Sequence, residues 1–289
     1  MGVNWYERLH LLPIIALSFF TVSLSGCGTA APRLSYLALL APFEGRYREV
    51  GYDLLYATRL GLSDAQLPNI ELLPLDDGGS VQDAVDRARA LALNPDVRAV
   101  LVGGVTATSP DVLAAFNNLP VVVIGGWNVE TADGETFILA SETRSDQMDS
   151  DAQSITDIEI ATTTDTPFTG GEIFGLKQFP ALRDDLDNIT VITSAAPPDA
   201  AFRARFLNSG MFVPEPGLLT TLAYDAAKLT AQAIGDDHPT RRVVRDRLAA
   251  IDYDGLNGVI RFENGYWADA PIFQYTYTVE GVLQPVNGE

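Results

Sequence analysis

Few side chains in this sequence could carry covalent or metal chemistry, and their placement argues against it. Cys27 is the only cysteine, and His10 and His238 are the only histidines. His238 sits in the turn-like Asp236-Asp237-His238-Pro239, between two helical patterns. A Ser-His-Asp relay or a histidine metal site in the mature chain would have to be built on that one imidazole. With Cys27 committed elsewhere, no thiol is left for a disulfide, a CxxC metal site or a nucleophile. Asp76-Asp77 looks like paired carboxylates, the usual means of acid–base work. Neighbours at a strand end point opposite ways, so the two do not make a natural dyad. The preferred reading is a loop-shaping aspartate facing a cleft, with Asp77 as a direct ligand contact the other. Gly103-Gly104-Val105-Thr106-Ala107-Thr108 lacks the third glycine and the spacing of GxGxxG, and no GxxxxGK[ST] is present. Nucleotide binding is unsupported. The expectation is a non-enzyme with no cofactor and no metal.

At the N-terminus, Arg8 and His10 precede a mostly apolar run from Leu11 to Val22, and Leu24-Ser25-Gly26-Cys27 closes it with small residues. The run is too short to span a ~30 Å hydrocarbon layer comfortably, so it reads as a signal core and not a transmembrane helix. One reading is an ordinary secretory signal with a chance cysteine near the cut. The preferred one rests on Leu24 to Cys27, which resembles the lipobox of bacterial lipoproteins. That resemblance implies cleavage before Cys27 and acylation of it, and stable anchoring takes two or more chains. Residues 1–26 are then a signal peptide and 27–33 a tether. The protein is expected outside the cytoplasm, anchored to a bacterial membrane.

Removing residues 1–26 from the 289 leaves 263, enough for one large or two medium domains with real cores. Hydrophobic residues at 47% argue for a globular chain. A net charge of −19 opposes binding to nucleic acid and to anionic headgroups.

The elements that must position any site alternate regularly. Tyr36 to Leu40, Ile70 to Leu75, Val97 to Val102 and Val121 to Ile124 read as strands buried on both faces. Helical spacing fills Glu49 to Leu62, Val81 to Leu93 and about Pro110 to Asn117 between them. Such a series predicts an α/β fold with a parallel sheet flanked by helices. Ligands in such sheets bind outside the carboxyl ends of the strands. Here those ends are Pro42 to Tyr47, Asp76 to Ser80, Gly103 to Ser109 and Gly125 to Asn128, all rich in glycine and small polar residues.

Ala38-Leu39-Leu40-Ala41-Pro42-Phe43-Glu44-Gly45, followed by Glu49-Val50-Gly51-Tyr52-Asp53, resembles the opening of type 1 periplasmic binding proteins, the leucine/isoleucine/valine-binding and receptor ligand-binding-region family. Leu75 to Gly79 with Ala84 and Ala88, and Pro95 to Val100 leading to Gly103, resemble the family's second and third units. Phe137 with Ser145-Asp146-Gln147 resembles the passage into its second lobe. Ala223-Tyr224-Asp225-Ala226 and Leu256 to Phe262 resemble the return helix and closing segment. No one motif is specific, but five occur in family order across most of residues 35–280.

The resemblance implies two α/β lobes closing on a small ligand. This chain departs from it in the middle. Met148 to Asn188 is about enough for one βαβ unit at ~30 residues or more. It is polar, and Thr162-Thr163-Thr164-Asp165-Thr166-Pro167 reads as loop. The expected layout is a first lobe from 34–127 and 212–270, a reduced second lobe from 128–211, and closing strands at 271–289 belonging to either.

By resemblance, the ligand's polar headgroup meets Thr106, Ala107 and Thr108 after the third strand, and Gly126, Trp127 and Asn128 after the fourth. An α-carboxylate could be held there by N–H groups and the start of the following helix. Thr108-Ser109 equally suits capping of the helix beginning at Pro110. Trp127 either stacks on a ligand or fills the hinge, and Phe43 and Tyr47 are similar cases. The resemblance implies a solute-binding protein feeding an ABC importer. Its partners are a small polar solute such as an amino acid, a permease, and a membrane reached through the lipid anchor, with no nucleic acid. The alternative is a scaffold or sensory interaction protein built on a degenerate flytrap.

Overall fold

Leu37 to Ala41 are fully buried, which a strand allows only in the middle of a sheet covered on both faces. The computed structural model describes residues 33–127, 129, 134–149, 168–182, 186 and 189–286; Cys27 and Asn128 lie outside them. Leu34–Glu289 form one unit, separate from Met1–Arg33.

The first half delivers the expected alternation: β1 (Ser35–Ala41), α1 (Arg48–Ala65), β2 (Ile70–Asp76), α2 (Val81–Leu93), β3 (Val97–Val102), α3 (Pro110–Ala115), β4 (Val121–Val123) and β5 (Thr136–Ile138). α1 buries Val50, Leu54, Ala57 and Gly61 at helical spacing and stops where Gln66 turns left-handed. α2 starts at Ser80, whose hydroxyl oxygen caps it by accepting from the Asp83 N–H while its hydroxyl donates to Asp83 Oδ2 at 2.7 Å. Each wholly buried Leu or Val adds roughly 1.5–3 kcal/mol, and such residues make up all of β4, most of β3 and three of the seven residues of β1.

After β5 the chain changes sheet. β6 (Phe168–Gly170) and β7 (Ile189–Thr193) pair in parallel, with 3₁₀ turns at Glu172–Gly175 and Phe179–Leu182 between them. α4 (Ala200–Leu207), α5 (Thr220–Ile234) and α6 (Arg241–Ala249) return to the first layer. α5 packs mainly on α1 and also meets α6, β1 and β3. It is buried nearly all round, and takes Thr220, Thr221, Asp225 and Thr230 inside with its apolar residues. β8 (Tyr253–Gly255) and β9 (Gly258–Ile260) form a hairpin. β10 (Phe262–Glu263), β11 (Tyr266–Trp267), β12 (Phe273–Tyr277) and β13 (Leu283–Pro285) complete the chain.

The large sheet has the order β10-β11-β5-β4-β3-β1-β2 and the small sheet β13-β12-β7-β6. The order 2-1-3-4-5 within the large sheet puts the switch point between β1 and β3, where a crevice opens at the carboxyl ends. One segment differs from the expected layout, and one left open takes a place. β5, assigned to 128–211, pairs with β4 in the large sheet, because Phe137 and Ile138 bury their side chains there. The closing strands, left open between lobes, lie in the small sheet, with β12 antiparallel to β7.

Candidate functional site

The loops at the switch point are braced by Asp76. Its Oδ1 accepts from the N–H groups of Phe43 at 2.6 Å and Glu44 at 3.2 Å, and its Oδ2 from Gly78 at 3.0 Å. Asp77 points elsewhere. It is buried, its Oδ1 takes the Gly79 N–H at 2.9 Å, and its Oδ2 has no partner among the described residues. Burial pushes the Asp77 carboxyl up from the ordinary carboxylate range. Phe43 and Tyr47 are half-buried over the same loops. The Phe43 ring centroid is 6.1 Å from that of Tyr52, and Tyr47 precedes α1.

After β3, Thr106 is half-buried, and its carbonyl accepts from the Ser109 N–H at 3.2 Å. Ala107 is wholly buried. The Thr108 hydroxyl is spent locally, donating to the Gly104 carbonyl at 2.8 Å. Ser109 holds the N-cap position of α3 with no side-chain cap bond, so the capping proposed for this pair rests on backbone alone.

After β4, the two N–H groups expected to face a ligand face Glu172 instead. Gly126 N–H donates to Glu172 Oε1 at 3.0 Å and Trp127 N–H to Oε2 at 3.2 Å. The Thr193 hydroxyl donates to Oε1 at 3.3 Å. Arg144 bonds both the Glu172 carboxylate and the Trp127 carbonyl. The side chains of Glu172 and Arg144 are 0% and 7% exposed. A Cβ at Gly126 would displace the guanidinium of Arg144 from its present place. Trp127 has φ +42, costly for a bulky residue. Its indole N–H to the Ile124 carbonyl at 2.8 Å, its own N–H on Glu172 and its carbonyl on Arg144 hold it there. Trp127 is buried, so it fills the joint between the sheets.

Sequence reasoning missed Glu172 and Arg144. The available signal was two charged residues, one after Gly170-Gly171 and one among the polar residues after β5. Neither carries a periodicity that would pair them. Elsewhere, a small recess between α1 and the other layer is lined by Glu49, Asp53, Leu176, Lys177, Gln178 and Gly217, with room for little more than water. It lies apart from the residues chosen from sequence. His238 bonds Ser35 through Nδ1 at 3.1 Å, at the opening end of β1, away from the loops. No group of three potential metal ligands occurs among the described residues, and no described helix is long and apolar enough to cross a membrane.

No protein-family profile matches the chain, and no curated protein does. Solved structures are similar to it. An extracellular ligand binding receptor from Desulfohalobium retbaense aligns at TM-score 0.69 and 17% identity, over 88% of this chain and 59% of that one. The leucine binding protein LivK from Thermotoga maritima aligns at TM-score 0.67 and 13% identity, over 88% and 98%. The branched-chain amino acid substrate binding protein LivJ from Streptococcus pneumoniae, in complex with isoleucine, aligns at TM-score 0.65 and 15% identity, over 88% and 99%. A solute binding protein from R. palustris in complex with benzoate aligns at TM-score 0.64 and 12% identity, over 88% and 96%. The chain has the type 1 periplasmic-binding-protein fold.

Proposed function

We propose that this chain is a lipid-anchored, extracytoplasmic solute-binding protein of an ABC importer, a non-enzyme taking a small polar solute such as an amino acid. The observation that carries the reading is the fold match, which extends to proteins whose names state such a role and which hold isoleucine or benzoate. Phe43, Tyr47 and Thr106 are the proposed contacts, being half-buried at the ends of β1 and β3. Asp77, Ala107 and Thr108 shape the same loops. Gly126 and Trp127 offer N–H groups only when Glu172 moves away.

The test is a thermal-shift screen of the soluble chain against amino acids, sugars and urea-like solutes. A true ligand at a hundredfold excess over its Kd stabilises by ~2.7 kcal/mol. Thr106→Ala should then weaken that ligand by ~0.5–1.5 kcal/mol. Loss of the shift in no cleft variant would move the site elsewhere.

A second reading, the scaffold that contacts a partner protein without a solute, is favoured by the buried bond set around Glu172. It predicts a screen with no stabilising solute.

A further inference from the structure

The four groups around Glu172 form a seat for an anion. Two adjacent backbone N–H groups point the same way, between Gly125 at φ +94 and Trp127 at φ +42, an arrangement that makes an anion-binding concavity. A guanidinium and a hydroxyl complete it. Isoleucine, leucine and benzoate, the solutes held by similar structures, are each carboxylates. In this chain the carboxylate filling the seat is its own, carried by the small-sheet side on the turn after β6. The N–H groups and Arg144 belong to the β4 and β5 ends of the large sheet.

We propose that Glu172 is a tethered ligand: its side chain occupies a carboxylate seat made by Gly126, Trp127, Arg144 and Thr193, and bars free carboxylates from it. The seat is specific for charge and shape. Arg144 supplies the charge, and the two N–H donors separate the oxygens as a carboxylate does. Free solutes cannot compete at ordinary concentrations, because the tether presents the rival group at high effective concentration. A solute entering the remaining crevice is therefore held by something other than a carboxylate at this seat. The inference stands whether or not such a solute exists.

Glu172→Ala removes Cγ and the carboxyl group, which are the heavy atoms of acetate. The probe is sodium acetate, with sodium chloride at equal ionic strength and acetamide as controls, read as the thermal midpoint of the full chain. The wild type should respond alike to acetate and chloride. Glu172→Ala should melt lower, and acetate at a hundredfold excess over its Kd should restore ~5 °C or more. Acetamide should not. Acetate acting on the variant no better than chloride, or acting equally on the wild type, overturns the inference. If Glu172→Ala does not fold, Glu172→Gln decides: it keeps the shape and removes the charge. It should melt lower than wild type and ignore acetate, and a wild-type midpoint overturns the proposal. A solute found in the broader screen leaves this inference intact, and a failed acetate rescue leaves the solute-binding reading intact.

Discussion

Lys177 Nζ stands 2.8 Å from Asp53 Oδ1, and so ties the segment between β6 and β7 to the second turn of α1. Lys177 also donates to the Glu215 carbonyl at 2.7 Å. Asp53 is buried, and a Cβ on Gly217 would collide with its Oδ2. Burial pushes the Asp53 carboxyl up to about 6, against the pull of the Lys177 ammonium and the Gly217 N–H. An unfolded Asp titrates near ~3.9.

Between those two values the folded chain holds a proton that the unfolded chain has released, so this group makes stability fall as pH rises through the window, then level off. Asp53→Asn abolishes the effect. The unfolding free energy of the variant minus that of wild type should grow by on the order of 1–3 kcal/mol from pH 4 to pH 7. Asp77 and Asp225 are raised in both proteins, so they cancel in the difference. Urea melts at four pH values would check it, and a flat difference would refute it.

Arg144→Ala should be among the most damaging single changes. It leaves the Glu172 carboxylate, 0% exposed, without its cation, a loss of ~3–5 kcal/mol for a buried pair. Arg144→Lys should recover little of it, since a lysine cannot reach both the carboxylate and the Trp127 carbonyl with a planar fork. A loss under ~1 kcal/mol by chemical denaturation would mean the pair is far less isolated from water than the geometry requires.

Asp225 anchors the hairpin to α5. It accepts from the N–H groups of Leu256 and Asn257, each at 3.0 Å, and from the Asn257 side-chain amide at 2.6 Å. Asp225→Asn turns an amide donor toward donors and should cost ~1–3 kcal/mol. Amide hydrogen exchange should show Leu256 and Asn257 losing protection first. Unchanged protection there would argue against the anchor.

The lipid anchor is tested by Cys27→Ser. Because Cys27 follows Leu24-Ser25-Gly26, the variant should escape lipoprotein processing and take up no fatty-acid probe. Equal labelling of the two proteins would end that reading.

What could be read from sequence follows the strength of burial. Leu37 to Ala41 and Val97 to Val102 announce central strands because their side chains are apolar on both faces. Ser80 with Asp83 marks the start of α2 through local chemistry. β5 was misplaced because Thr136-Phe137-Ile138 is too short to display a period. The candidates Gly126 and Trp127 were found, but their partner was not. Glu172 lies 45 residues from Trp127 in the chain, and nothing local distinguishes its carboxylate from those of a solvated acidic surface. The role of Asp225 was not legible, since a helical position gives no hint of donors arriving from a later hairpin.

The small sheet draws its inner pair, β7 and β12, from segments ending at Thr193 and beginning at Phe273, with the whole return layer of α4, α5 and α6 between them. The strands β1 through β4 all come from residues 35–123 and pair with one another directly. β6 and β7 meanwhile make only a two-stranded ribbon, too small to persist in water. Glu172, on the turn between β6 and β7, is thus carried against Gly126 by a sheet that β12 completes. Loop closure across so long a span is slow, so the small sheet is the part of the fold whose completion depends most on distant chain. A chain shortened before Phe273 would keep every residue of the seat and lose half the strands of the sheet that presents Glu172.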